Sequence, residues 1–62
     1  MFIRDLKVGQ VFTLTGNSTA YTVAGKTYWP GQGCTIAYTI GDNPNAFTFT
    51  KPGLTTCTIE GN

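Results

Sequence analysis

The sequence predicts an all-β fold, a small barrel of five short strands, and three observations support it. Apolar and polar side chains alternate in several short stretches, which is the pattern of strands with one buried face. Twelve threonines and eight glycines dominate the 62 residues. Threonine packs well on pleated surfaces and glycine permits tight turns. Only one short stretch, near the start, has helical character.

At most one helical turn is expected, at residues 3–9, where Asp5 can cap a turn and Gly9 can end it. The stretches that follow alternate and are bounded by turn residues. They predict five strands, at residues 10–15, 20–24, 34–40, 46–50 and 55–60. A long loop with three glycines and a proline is expected between the second and third strands, at residues 25–33.

The register of neighbouring strands follows from the requirement that apolar residues share one face. In the hairpin of the third and fourth strands, this requirement predicts Tyr38 opposite Phe49. The fourth and fifth strands are then expected to pair across a bulge near Gly53, with Phe49 opposite Cys57. The predicted core consists of the inward-facing residues: Phe12, Leu14, Tyr21, Val23, Ile36, Tyr38, Ile40, Phe47, Phe49, Cys57 and Ile59, with Leu6 at one end.

The two cysteines, Cys34 and Cys57, are expected to be reduced thiols. The predicted register separates them by two strands, roughly 9 to 10 Å, whereas a disulfide needs Cα atoms within about 7 Å. A disulfide between them is the alternative. Because the chain has no histidine, the cysteines have no companion ligands for zinc, and we expect neither a metal nor a cofactor.

The low charge narrows the classes of function. The net charge is +1 and 11% of the residues are charged, so the chain lacks the basic excess typical of nucleic-acid binders. The acids Asp5, Asp42 and Glu60 are not spaced as an acid/base pair, and no histidine or nucleophile motif accompanies them. The sequence therefore predicts a binding or structural protein and not an enzyme.

The chain is expected to be a single domain over residues 1–62. Its first residues lack the basic segment followed by an apolar core that marks a signal peptide. No apolar run approaches the roughly 18 residues that a membrane span needs. We therefore expect synthesis in the cytoplasm and no membrane partner.

Lys26, Tyr28 and Trp29 are the candidate binding residues. A tryptophan beside a tyrosine in a loop rich in glycine and proline can form a flat, partly exposed platform. Such a platform suits a proline-rich peptide, a nucleic-acid base or a protein surface. The alternative is that Trp29 folds back and closes one end of the barrel, because a small domain seldom leaves its one tryptophan in water.

The start of the chain resembles the opening of small uncharacterised bacteriophage proteins and, more loosely, of SH3-like barrel domains. The resemblance is carried by residues 3–12, followed by Tyr21, Thr22 and Val23. The resemblance covers about the first third of the chain. It implies a five-stranded SH3-like barrel. The short connections also favour this fold over an OB-fold, since they leave no room for a helix between the third and fourth strands. The resemblance assigns no binding residue.

A phage origin implies two competing roles. The first is a virion accessory protein that is made in the host cytoplasm and decorates a capsid or tail through protein contacts. The alternative is an intracellular SH3-like module that binds a host protein or single-stranded nucleic acid. The low charge, the threonine and glycine content and the small core favour the first. In either role, further copies of the chain are also candidate partners, in a homo-oligomer.

Overall fold

The computed structural model describes residues 1–60 and is all-β, as predicted; the last two residues of the predicted 1–62 domain lie outside this range. A 3-10 turn (Ile3–Asp5) precedes five antiparallel strands: β1 (Val11–Leu14), β2 (Tyr21–Trp29), β3 (Gly33–Thr39), β4 (Phe47–Lys51) and β5 (Cys57–Ile59). The strands form one sheet in the order β4-β3-β2-β1-β5. Within residues 1–60, no helix is long and apolar enough to cross a membrane.

β5 pairs with β1, and the predicted pairing of the fifth strand with the fourth is wrong. Phe12 lies opposite Ile59, and Leu14 lies opposite Cys57. Residues 52–56 therefore connect β4 to the far side of the sheet, so the predicted bulge near Gly53 is wrong as well. The inward face of β5 is as predicted, because strand alternation sets the face whichever strand is the partner.

β2 continues through most of the segment that the sequence predicts to be a loop. It ends at Trp29, and a tight turn at residues 30–32 leads into β3, with the Gln32 N–H donating to the Trp29 carbonyl oxygen at 2.8 Å. A bulge between Val23 and Gly25 bends the strand. The glycines and proline of residues 25–33 thus serve a bulge and a hairpin turn, with a regular strand between them.

The β3–β4 register differs from the prediction by two residues. Tyr38 pairs with Phe47, and Ile36 pairs with Phe49. A shift of two preserves the faces, but it lengthens the connection between the strands beyond a tight hairpin. Ile40 and Phe47, predicted in the core, are consequently 39% and 44% exposed.

The buried core lies on one face of the sheet, as strand alternation predicts. Its aromatic side chains pack closely, with ring centroids 5.4 Å apart for Phe12 and Tyr21 and 4.9 Å apart for Tyr21 and Tyr38. Leu6 is fully buried at one end, as predicted. The buried side chains are Ile3, Leu6, Phe12, Val23, Cys34, Ile36 and Cys57, and Leu14, Tyr21, Tyr38, Phe49 and Ile59 pack against them.

The sheet does not close into a barrel, since β4 and β5 at its two ends are not paired with each other within residues 1–60. The first residues of the chain instead run along β5 and the segment before it. The Cys57 N–H donates to the Met1 carbonyl oxygen at 2.7 Å, and the Ile3 N–H donates to that of Thr55 at 2.9 Å. Ile3 and Leu6 then fill the open side, and the 3-10 turn contacts β3.

Candidate binding site

The predicted binding residues lie on β2 but do not share one face. Lys26 pairs with Ile36 and Tyr28 pairs with Cys34. Paired residues of antiparallel strands project to the same side, and Ile36 and Cys34 are buried, so Lys26 and Tyr28 lie on the core side of the sheet. Trp29 projects from the opposite face and is 57% exposed, so it neither joins them in a platform nor closes the barrel. A role for the three residues in binding stays a prediction.

Tyr28 lines a shallow pocket where the β2–β3 turn meets the segment that follows β4. We call this the Tyr28 pocket; it has a volume of about 310 Å³ and is lined by Tyr28, Gly31, Gln32, Gly33, Pro52 and Gly53. The tyrosine is 41% exposed. The concave surface is thus formed by one tyrosine, one proline, one glutamine and three glycines. Small ligand sites combine apolar walls with a few polar groups in this way.

Two glycines allow the walls of the Tyr28 pocket to come together. A Cβ at Gly53 would lie 2.7 Å from Cε1 of Tyr28 and 3.3 Å from Cβ of Arg4. A Cβ at Gly33 would lie 3.1 Å from the carbonyl oxygen of Lys51, and its φ of +124° is one that other residues rarely adopt. Glycine is therefore required at position 33, which faces backbone, whereas a side chain at position 53 would displace the Tyr28 ring.

Basic side chains gather at this end of the sheet. Nζ of Lys26 donates to the Arg4 carbonyl oxygen, and Lys51 lies on the same face because it pairs with buried Cys34. The Arg4 guanidinium lies 5.6 Å from the Phe2 ring centroid. Its Nε is 4.0 Å from an Asp5 carboxylate oxygen, an exposed pair that adds little stability. The surroundings of the pocket are therefore more basic than the net charge suggests.

The thiols of Cys34 and Cys57 are free and buried, in agreement with the prediction of reduced cysteines. Burial raises the pKa of the Cys34 thiol, against the opposing effect of the Lys26 charge. Burial also raises the pKa of Cys57; the N-terminal ammonium opposes this rise and Asp5 adds to it. Because the thiolate is the nucleophile, both side chains are poorly reactive at neutral pH.

The described part of the chain offers no assembled site for metal chemistry. Residues 1–60 contain no group of three or more histidine, cysteine, aspartate or glutamate side chains placed to hold an ion. The expectations that the protein needs no cofactor and is not an enzyme stay predictions.

Pro52, Gly53 and Gln32 are pocket residues that the sequence interpretation missed. The sequence around Pro52 and Gly53 indicates a turn, and it is one. Its contact with the β2–β3 hairpin depends on the path of the chain from β4 to β5, which no local pattern shows. The glycines at positions 33 and 53 are the signals that could have suggested a close approach.

Comparison with known proteins adds no assignment: no family model matches the chain, and no curated protein or solved structure matches it either. The resemblance to phage proteins and to SH3-like domains therefore stays a prediction. The features of the molecule that bear on its function are the Tyr28 pocket, the basic residues beside it and the edges of the sheet.

Proposed function

We propose that this chain is a non-enzymatic binding protein that attaches to a larger protein assembly, and that the Tyr28 pocket receives an extended segment of that assembly. The composition of the pocket lining supports this proposal most strongly. The rings of Tyr28 and Pro52 offer apolar contact, and the glycines leave backbone groups accessible. An extended peptide uses both kinds of contact, apolar for a side chain and polar for its main chain.

A segment that contains proline suits the pocket best. Such a segment is already extended before it binds, so little conformational entropy is lost. A proline ring packs flat against an aromatic ring, and the side-chain amide of Gln32 can donate to or accept from the peptide backbone. The volume of about 310 Å³ lies at the lower end of the range for small-ligand pockets.

The pocket is tested by titrating the chain with a proline-rich decapeptide and following the NMR signals of residues 28–33. A glycine-serine decapeptide serves as the control ligand. We expect Tyr28→Ala to weaken binding roughly tenfold, about 1.4 kcal/mol. Trp29→Ala removes a neighbouring exposed aromatic side chain from the opposite face and should leave binding unchanged. Equal losses in both variants, or equal binding of the two peptides, would contradict this use of the pocket.

The specific role we favour is that of a phage accessory protein on a capsid or tail. It is supported by the resemblance of residues 3–12 to small phage proteins and by the low net charge of +1. The protein would be made in the host cytoplasm and then join the virion. Mass spectrometry of purified particles should detect the chain in a fixed ratio to the capsid or tail protein, and its absence would remove the virion role.

Single-stranded nucleic acid is the second candidate ligand, and the basic groups near Tyr28 are the observation that favours it. Lys26 and Lys51 flank an exposed aromatic ring, which is the combination that stacks a base and contacts its phosphate. The probe is a fluorescent oligothymidine at about 0.15 M salt. Binding that is lost in Lys26→Ala/Lys51→Ala, but retained in the control Lys7→Ala, would favour this candidate over the peptide.

A further inference from the structure

We propose that β4 of one copy pairs with β4 of a second copy, antiparallel and centred on Phe49, so that the protein forms a two-fold symmetric dimer with a continuous sheet. This inference uses a surface other than the Tyr28 pocket. It therefore goes beyond the proposed function and can fail or succeed independently of it.

The two ends of the sheet are protected unequally. At the β5 end, backbone groups bond to the start of the chain, where the Met1 carbonyl accepts from Cys57 and the Ile3 N–H donates to Thr55. At the β4 end, within residues 1–60, the strand bonds only to β3. Alternate N–H and C=O groups of β4 therefore point outward, where no neighbouring strand forms hydrogen bonds with them. Such an edge is a template for another strand.

β4 has few of the features by which edge strands usually avoid pairing. Its five residues, Phe-Thr-Phe-Thr-Lys, run without a bulge along β3. Proline lies outside the strand, at Pro44 and Pro52, and the one charge within it, Lys51, stands at its end. Bulges, internal prolines and central charges are the common means of blocking an edge. The backbone of residues 47–51 is thus free to pair along its whole length.

The sequence of β4 is complementary to itself in the antiparallel direction, which is why we assign a second copy as its occupant. Pairing centred on Phe49 places Thr48 of each copy opposite Thr50 of the other. It also places Lys51 opposite Phe47, where the ammonium can lie over the ring. Parallel pairing would instead place Lys51 beside Lys51. The net charge of +1 per copy adds little repulsion.

Both faces of the sheet would continue across the paired edges. On the core side, Phe47 and Phe49 already pack against Tyr38 from one direction, with ring centroids 6.0 and 5.5 Å from it. The second copy would cover the exposed part of Phe47. On the other side, Thr50 bonds Thr35 through their hydroxyls at 2.9 Å, and threonines of the second copy would extend this row.

The association should be weak. One strand pair buries less than the roughly 1,200 Å² that marks the lower end of stable interfaces. We therefore expect the chain to be monomeric at low micromolar concentration and increasingly dimeric towards millimolar concentration. Sedimentation equilibrium of the full chain over this range should show the average mass rise from one copy towards two.

Charge variants test the surface that is involved. Thr48→Lys/Thr50→Lys places lysine opposite lysine in the dimer and should keep the mass at one copy. Thr56→Lys/Thr58→Lys is the matched control: Thr58 lies on the other end strand, β5, and Thr56 lies just before it. Both threonines are exposed, and Thr56 also bonds a threonine, Thr15, at 2.7 Å. This control should dimerise as the original chain does. Mixing Thr48→Lys/Thr50→Lys with Thr48→Glu/Thr50→Glu should restore dimers, although each alone is monomeric.

Amide hydrogen exchange of the unaltered chain does not depend on how the variants fold. Exchange of β4 amides should slow as concentration rises, whereas exchange of β5 amides should not change. A chain that stays monomeric at every concentration, or a Thr48→Lys/Thr50→Lys variant that is folded and dimerises like the original, would overturn the proposal. Protection of β4 in a monomeric chain only when purified particles are added would assign the edge to a particle protein and also overturn it.

Discussion

Gly53 shapes the Tyr28 pocket because it has no side chain. A Cβ there would lie 2.7 Å from the Tyr28 ring, so Gly53→Ala should displace the ring. Because the ring is 41% exposed and can shift, we expect a destabilisation of about 1 kcal/mol, the lower end of the range for overpacking. Gly25→Ala is the control, since its Cβ would meet only the Ala37 Cβ at 3.7 Å. Urea unfolding measures both. Equal stabilities with an unmoved Tyr28 ring signal would show that this contact is not tight.

The buried thiols give the stability a pH dependence with a definite sign. Burial raises the pKa of Cys34 and Cys57 in the folded chain, so the fold favours their neutral forms. Their contribution is complete below the unfolded pKa of about 8.5 and is lost as the pH rises through the higher folded pKa. The urea concentration at the unfolding midpoint should therefore decrease as the pH rises above this value. The decrease should be smaller in Cys34→Ala/Cys57→Ala. An equal fall in both chains would assign the loss to other groups.

Tyr28 and Trp29 show why the arrangement of the binding residues could not be predicted from the sequence. The alternation that separates Tyr28 from Trp29 is present in the sequence, but it applies only if the segment is a strand. Glycine and proline nearby indicate a loop, and in a loop two adjacent aromatic side chains can share a surface. Once residues 21–29 form a strand, the same two side chains must project to opposite faces.

At the scale of elements, the pattern determines which face of a strand is buried but not which strand lies beside it. The inward residues of β5, Cys57 and Ile59, are as predicted, although their partner is β1. In the β3–β4 hairpin the faces are again as predicted, and the register differs by two. Period-two patterns are unchanged by such a shift, so only the length of the connection distinguishes the registers.

In the N-terminal segment the sequence predicts the burial of Leu6 but not that of Ile3. Leu6 and Ile3 are fully buried and fill the side that the sheet leaves open. Leu6→Ala should therefore cost about 2–5 kcal/mol, comparable with the roughly 3–5 kcal/mol that a core of this size supplies. Val8→Ala is the control, because Val8 is 69% exposed and nearby in sequence. Circular dichroism during heating should show the first variant largely unfolded and the second unchanged; a stable Leu6→Ala chain would contradict the plugging role.

At the scale of the whole molecule, the open sheet and its N-terminal plug leave two features available for contact. One is the Tyr28 pocket, where the β2–β3 hairpin meets residues 52–53. The other is the outer edge of β4. Both depend on β5 crossing to β1, because that path carries residues 52–56 over the core side and leaves β4 at the end of the sheet.

A NOESY spectrum of the full chain tests this arrangement most directly. We expect contacts between the Tyr28 ring and the Gly53 α-protons, together with cross-strand contacts between Thr13 and Thr58. Cross-strand contacts between β4 and β5 would contradict the strand order, and a Trp29 ring against Gly53 in place of Tyr28 would contradict the pocket.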